Sequence, residues 1–305
     1  MSLHVRRVGP EAADPVLAVV RAAFADRPAL DPPTDAWAET AESVAAALTD
    51  GGGLLAELDG DPVGAVLLDP DPPADVVFLR RFGVVPAAQG RGVARALVVA
   101  ACDATDAAEV AVLAREELPD TVGFWRDRGF VEVRRVAPYV ELRRAVRETH
   151  EVADAEAMRA LGVTLAGRLE RGDLVVLTGP LGSGKTTLTQ GLGAGLRVRG
   201  EVTSPTFVIA RVHPSLADGP ALVHVDAYRL GGLAELDDLD LDASLDDAVT
   251  VVEWGEGLAE TLSDSRLEVR LARAEGAVPS LEPTAEEPVD PRRVVVRGYG
   301  PRWMD

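Results

Sequence analysis

Lys185 is the single lysine among 31 basic residues in a chain of 305. It lies in Gly179-Pro180-Leu181-Gly182-Ser183-Gly184-Lys185-Thr186-Thr187, which fits the pattern G-x-x-x-x-G-K-[ST]. Small residues let successive backbone N–H groups turn inward around phosphate oxygens, and the start of a following helix adds partial positive charge. In such a loop Lys185 reaches the β and γ phosphates of a nucleoside triphosphate, and the Thr186 hydroxyl can ligate magnesium. A guanidinium is too broad and planar for a slot that a compact ammonium fills. That accounts for one retained lysine in a chain whose other basic side chains are all arginine.

A triphosphate site needs acidic partners. Asp226 ends the apolar run "ALVHVD", where a carboxylate can hold magnesium through water, and Glu253 ends "VTVVE". At the C-terminal edge of a parallel sheet both positions face a nucleotide cleft. Lys185, Asp226 and Glu253 are therefore the candidate catalytic residues, and Thr186, Asp226 and Glu253 the candidate metal ligands. Between loop and Asp226 lies Thr203-Ser204-Pro205-Thr206-Phe207, a segment suited to sensing a γ-phosphate. A second turn, Gln89-Gly90-Arg91-Gly92-Val93-Ala94, follows an apolar strand and opens a helix, so its backbone N–H groups can bind a pyrophosphate. The stretch "GLGAGL" at 191–196 copies part of a dinucleotide fingerprint, but it lies inside a helix rather than after a strand and is discounted.

The elements that must carry these residues fall into two domains, 1–148 and 149–305. In the first, the patterns predict a strand over 3–8, helices over 14–24 and 35–49, and strands in "LLAELDGDPVGAVLLD" with a hairpin turn at Asp59-Gly60. A strand "DVVFLRRFGVV", a helix over 91–104, a strand "EVAVLA", a helix over 119–128 and a closing pair of antiparallel strands complete an α+β mixed sheet with helices. The second domain reads as α/β. The segment "VADAEAMRALGVTLAGRLE" repeats apolar residues at Met158, Leu161, Leu165 and Leu169, as an amphipathic helix does. "LVVLTG", "ALVHVDA" and "VTVVEW" are continuous apolar runs, expected of a mainly parallel sheet covered on both faces. A terminal antiparallel strand pair, "RLEVRLARA" and "RRVVVRGYG", flanks residues 275–291, whose Pro and Glu content predicts a mobile loop.

Composition narrows the partners. The formal net charge is −19, and both halves share the acidic excess. Neither half is a basic nucleic-acid footprint, so contact with RNA would need a local basic patch or a partner that supplies positive surface. The run Glu235–Asp247 is rich in carboxylates and reads as a solvated face. The one cysteine, Cys102, lies in an apolar stretch and reads as a small buried hydrophobe. No apolar run has the length of a membrane span, and no secretory signal opens the chain, so a cytoplasmic protein is expected.

"GPLGSGKTT", "TSPTF", "VHVDAYRL", "ELDDLDLD" and "VVEW", in this order, make residues 149–303 resemble the TsaE family, the P-loop ATPases of bacterial tRNA threonylcarbamoyladenosine synthesis. The resemblance implies that ATP and Mg2+ bind at Gly179–Thr187, with Thr186 and Glu253 at the metal and Asp226 in the Walker B position. It implies that Trp254 packs beside the nucleotide and that Thr203–Phe207 is switch-like. It also implies that ATP turnover serves partner proteins TsaB and TsaD, which place a threonylcarbamoyl group on the tRNA adenosine next to the anticodon. Pro180 departs from the family pattern, which usually has an acidic residue there.

Gln89-x-x-Gly92-x-Ala94, followed by "GFWRDRGFVEV", makes residues 3–145 resemble the GNAT acetyltransferases. That resemblance implies acetyl-CoA along the strand ending at Val84 and Val85, with its pyrophosphate at Gln89–Ala94. Trp125 stands where many members have a tyrosine that protonates the leaving thiolate; indole cannot serve as that acid. Glu57, Glu116 or water are the candidate bases for an amine acceptor, and no spacing singles one out. A P-loop small-molecule kinase fused to a CoA-binding module is the alternative. It requires an arginine-bearing lid, for which residues 230–305 offer no convincing candidate.

Overall fold

The computed structural model describes residues 2–25, 31–33, 35–232, 235–236, 246–273 and 291–304. The chain divides into two compact units, Met1–Arg147 with Met304–Asp305, and Glu148–Trp303.

The first unit runs β1 (Leu3–Val8), α1 (Ala13–Phe24), α2 (Ala41–Asp50), β2 (Gly53–Leu58), β3 (Asp61–Asp71), β4 (Val76–Val84), α3 (Val93–Asp103), β5 (Glu109–Arg115), α4 (Pro119–Arg126), β6 (Val131–Val136) and β7 (Tyr139–Ala145). Its seven strands lie in the order β1-β2-β3-β4-β5-β7-β6. Asp59 and Gly60 take φ of 54° and 94°, the left-handed pair that a tight hairpin between β2 and β3 requires. β4 and β5 are parallel and pair only through Val76–Phe78 and Glu109–Ala111. Beyond Phe78 the ladder stops, and a cavity of about 940 Å³ lies along the unpaired stretches. The sequence reading of one helix over 35–49 is corrected: a 3-10 turn covers Asp35–Ala38, and α2 starts afresh after Thr40. Thr40 and Ser43 form a capping box, each side chain accepting from the other's backbone N–H.

The second unit runs β8 (Glu148–Val152), α5 (Ala155–Ala166), β9 (Leu174–Thr178), α6 (Lys185–Gly195), β10 (Ala210–His213), β11 (Ala221–Asp226), β12 (Ala248–Glu253), β13 (Arg266–Arg273) and β14 (Arg292–Tyr299). The sheet order is β10-β11-β12-β9-β13-β14-β8. β11, β12, β9 and β13 are mutually parallel, while β10 and the β14-β8 pair close the two ends antiparallel. Every residue of β9 and β12 is buried, as continuous apolar strands covered on both faces must be.

Two strands escape the sequence patterns. β8 pairs with β14 although "ETHEV" carries little apolar signal, and β10 is a four-residue edge strand. The amphipathic segment enters its helix only after Asp154, whose carboxylate accepts from Ala157 N at 2.8 Å. The helix ends at Ala166, so Leu169 is buried from the loop that follows. The "GLGAGL" glycines belong to helix packing: a Cβ on Gly191 of α6 would stand 2.2 Å from Arg159 O of α5. The expected mobile loop, apart from Pro291, and most of the acidic run lie outside the described residues.

Candidate functional site

β9 delivers the chain into the glycine-rich loop, and α6 leaves it with Lys185 as its first residue. Gly179, Gly182 and Gly184 have φ of 143°, 76° and 101°, a region L side chains rarely enter. At Gly179 there is also no room, since a Cβ would meet Leu271 O of β13 at 2.3 Å. Ser183 is buried within the loop, and its hydroxyl has no hydrogen-bond partner among the described residues.

Lys185 is only 5% exposed. Its ammonium donates to Gly179 O at 2.7 Å and Pro180 O at 3.1 Å. The Trp254 ring lies 3.7 Å from the same nitrogen. Burial lowers the Lys185 pKa from its ordinary value, and the Glu253 and Asp226 carboxylates oppose that shift. Trp254 is held at a φ of 62°, with its N–H donating to Leu177 O of β9 at 2.9 Å. Tyr228 lies beside it, ring centroids 5.1 Å apart.

The parallel register places Asp226 directly opposite Glu253 at the ends of β11 and β12. Glu253 is 3% exposed, and its Oε2 accepts from the Thr186 hydroxyl at 3.1 Å. Thr186 keeps its oxygen lone pairs while donating that proton, so it stays able to ligate a cation. Asp226 Oδ2 accepts from the Ser204 hydroxyl at 3.0 Å and from Thr206, and its Oδ1 accepts from Tyr228 N at 3.1 Å. The segment Thr203–Phe207 is thus tied to the carboxylate through two hydroxyls. Thr203 accepts from Arg211, Pro205 is buried and Phe207 is 86% exposed. Pro180, Leu181 and Gly182 face solvent, while Thr187 is half-buried in the first turn of α6.

These groups fit a magnesium–triphosphate. The loop offers three positive-φ glycines, a buried ammonium and an orphan hydroxyl, while Thr186, Asp226 and Glu253 present oxygen ligands. Among the described residues, no group of three or more His, Cys, Asp or Glu is spaced to hold a metal by itself. A cation here would complete its coordination from phosphate and water.

Sequence reasoning missed two residues at this site. His224, fully buried on β11, has its Nε2 2.9 Å from Glu253 Oε1. The signal was present: a histidine inside an otherwise apolar strand, two residues before Asp226. Arg292 of β14 donates to Gly182 O at 3.2 Å, and no local pattern marks it.

In the first unit the second glycine turn opens α3. Gly90 and Gly92 have φ of 73° and 81°, and a Cβ at either would meet nothing within 4 Å, so backbone conformation alone demands glycine. Val84, Gln89, Gly90, Gly92, Val93, Ala94 and Trp125 line the cavity; Val85 and Arg91 do not. Arg95 and Arg128 line it as well, without having been singled out in the sequence. Trp125 is 4% exposed and meets Phe82, Phe124 and Phe130 edge-on at about 5 Å between ring centroids. Glu57 and Glu116 are paired with Arg6 and Arg135, and neither is a lining residue. Cys102 is buried in α3.

Comparison with known proteins follows this division. Residues 152–278 match the family model described as threonylcarbamoyl adenosine biosynthesis protein TsaE, and residues 18–130 match the acetyltransferase (GNAT) family model. The tRNA threonylcarbamoyladenosine biosynthesis protein TsaE of Streptomyces coelicolor is 64% identical over 147 residues, 48% of this chain and 93% of that protein. The protein of the same name from Mycobacterium tuberculosis H37Rv is 57% identical over 120 residues, 37% of this chain and 71% of that protein. Among solved structures, Bacillus subtilis YdiB is similar at 28% identity, covering 52% of this chain and 88% of that one, with a TM-score of 0.39. PaiA N-acetyltransferase of Thermoplasma acidophilum, in complex with coenzyme A, is similar at 16% identity over 48% of this chain and 99% of that one, with a TM-score of 0.42. The chain belongs to the TsaE family through its second unit and carries a GNAT-family domain ahead of it.

Proposed function

We propose that the second unit binds and hydrolyses ATP with Mg2+ in support of threonylcarbamoyladenosine formation on tRNA, acting on TsaB and TsaD partners in the cytoplasm. The functional domains proposed are 1–148 and 149–305; the compact units divide one residue earlier and group Met304–Asp305 with the first. The observation that carries the proposal is the convergence of Lys185, Thr186, Asp226 and Glu253 at the strand ends beside one glycine-rich turn. Magnesium, when bound, supplies charge to the phosphate oxygens and orders them for attack by water.

The chain's own residues divide the remaining work. Backbone N–H groups and Lys185 bind and orient the phosphates, with the ammonium exchanging the Gly179 and Pro180 carbonyls for phosphate oxygens. Thr186 and Asp226 would hold the cation, directly or through water, and Glu253 would ligate it or orient the attacking water. Trp254 covers the ammonium and excludes solvent. Because Asp226 also receives the Ser204 and Thr206 hydroxyls, occupancy of the site is communicated to Thr203–Phe207. The acidic chain reaches tRNA only through its partners.

Turnover and binding test the assignment. Lys185→Ala should lose nucleotide affinity and turnover, and Glu253→Ala should lose turnover while retaining affinity. Wild-type-like ATP hydrolysis in both variants would overturn the site assignment. Release of a phosphorylated small molecule at the rate of ATP loss would favour a kinase.

For the first unit the proposal is acetyl-CoA binding in the cavity between β4 and β5, with the pyrophosphate on Gln89–Ala94 and, as a secondary reading, acetyl transfer to an unidentified amine. The positive-φ glycines at the start of α3 support it. Calorimetric titration with acetyl-CoA tests it, and absence of binding would remove both the transferase and the CoA-binding roles.

A further inference from the structure

We infer that His224 is a positioning residue for Glu253, fixing the carboxylate from the neighbouring strand; the inference rests on the ATPase reading above. Glu253 has three rotatable side-chain bonds, and a single hydrogen bond leaves its carboxylate free to swing. Here both oxygens are engaged from different elements: Oε2 by the Thr186 hydroxyl of α6, and Oε1 by the His224 Nε2–H of β11. The parallel register pairs Asp226 with Glu253 and His224 with Val251. His224 and Glu253 therefore lie on one face of adjacent strands, two positions apart, a diagonal that long side chains span.

The placement of the ring is hard to explain by packing alone. His224 is 0% exposed, between Val223 and Val225, and its Nδ1 has no hydrogen-bond partner among the described residues. A histidine serving the core would be expected to satisfy both nitrogens, since a buried polar atom without a partner is costly. This imidazole makes one hydrogen bond, and it goes to Glu253. Thr186 must serve both the carboxylate and a cation, whereas His224 has no second task. It is thus the tie that keeps Glu253 aimed at the cleft whatever Thr186 is doing, and Glu253 in turn fixes the ring's Nε2–H tautomer.

Full-length chains with His224→Leu and His224→Gln separate positioning from packing, because leucine keeps apolar bulk while glutamine returns an N–H donor. In nucleotide-free protein, side-chain 15N–1H correlation should show a hydrogen-bonded Nε2 proton on His224 that shifts in Glu253→Gln. ADP affinity, followed by calorimetric titration, should be unchanged in His224→Leu. The kcat for ATP should fall about 10–100-fold in His224→Leu and recover in His224→Gln, as expected for a partner that orients a ligand or base.

Wild-type kcat in His224→Leu would overturn the inference, as would a glutamine variant no better than leucine at equal thermal stability. An NMR signal indifferent to Glu253→Gln would overturn it even if the leucine variant failed to fold. If the wild-type chain neither bound ADP nor turned over ATP, the ATPase reading would fall instead. The nucleotide-free NMR result would still decide whether His224 holds Glu253.

Discussion

The two units build the same backbone device and surround it differently. Gly90 and Gly92 open α3 at φ of 73° and 81°, and Gly182 and Gly184 open α6 at 76° and 101°. Each turn lies between a strand and a helix N-terminus, the kind of place where backbone N–H groups can bind phosphate. At α6, however, the helix's own Lys185 and Thr186 meet two carboxylates from two further elements, Asp226 of β11 and Glu253 of β12. At α3 the side chain in the tyrosine position is an indole locked among Phe82, Phe124 and Phe130. Phosphate recognition is available wherever a strand, two glycines and a helix meet. Chemistry needs side chains that the sheet register brings together.

The largest test of this contrast is Trp125→Ala, which should destabilise the first unit by about 3–5 kcal/mol as a large buried aromatic is removed. Thermal or urea unfolding followed on that unit would measure it. A loss near zero would mean the indole is not a core element and reopen a direct role in the cavity. Next is Lys185→Arg, expected to lower ATP turnover by about 10²–10³-fold because the planar guanidinium cannot take the ammonium's place beside Trp254. Retained turnover would show that charge alone suffices there.

Gly92→Ala should weaken acetyl-CoA binding by about 1 kcal/mol, the cost of a Cβ at a left-handed position with open space around it. Unchanged affinity would argue that the turn does not hold the pyrophosphate. The smallest effect concerns pH. Burial keeps the His213 pKa below its ordinary value of 6.5. As pH falls below about 6.5, the unfolded chain therefore takes up a proton that the folded chain resists, and stability declines. His213→Leu should flatten that part of the stability–pH curve, and identical slopes in urea unfolding would contradict it.

Much of this was legible in the sequence because local patterns carried it. The glycine spacing around Lys185 and the apolar runs ending at Asp226 and Glu253 foretold both the elements and their C-terminal edges. The hydrogen bonds that organise the site were not legible, because they depend on strand order. Nothing local says that β11 lies beside β12, and hence that His224 reaches Glu253. Arg292 of β14 reaches Gly182 across 110 residues of sequence, a distance that hides the contact. β8 was missed for a related reason: a half-exposed strand with polar residues forms because β14 offers it an edge, not because its own sequence demands it. The helix expected over 35–49 breaks at Thr40, whose side chain caps the start of α2.

The central claim is tested most directly by multiple-turnover tRNA modification with purified TsaB and TsaD, with and without this chain, following ATP hydrolysis and the modified nucleoside together. The account predicts that the partners stimulate hydrolysis, that repeated rounds of modification require the chain, and that Glu253→Ala abolishes both. ATP loss indifferent to the partners, with modification proceeding equally without the chain, would contradict it.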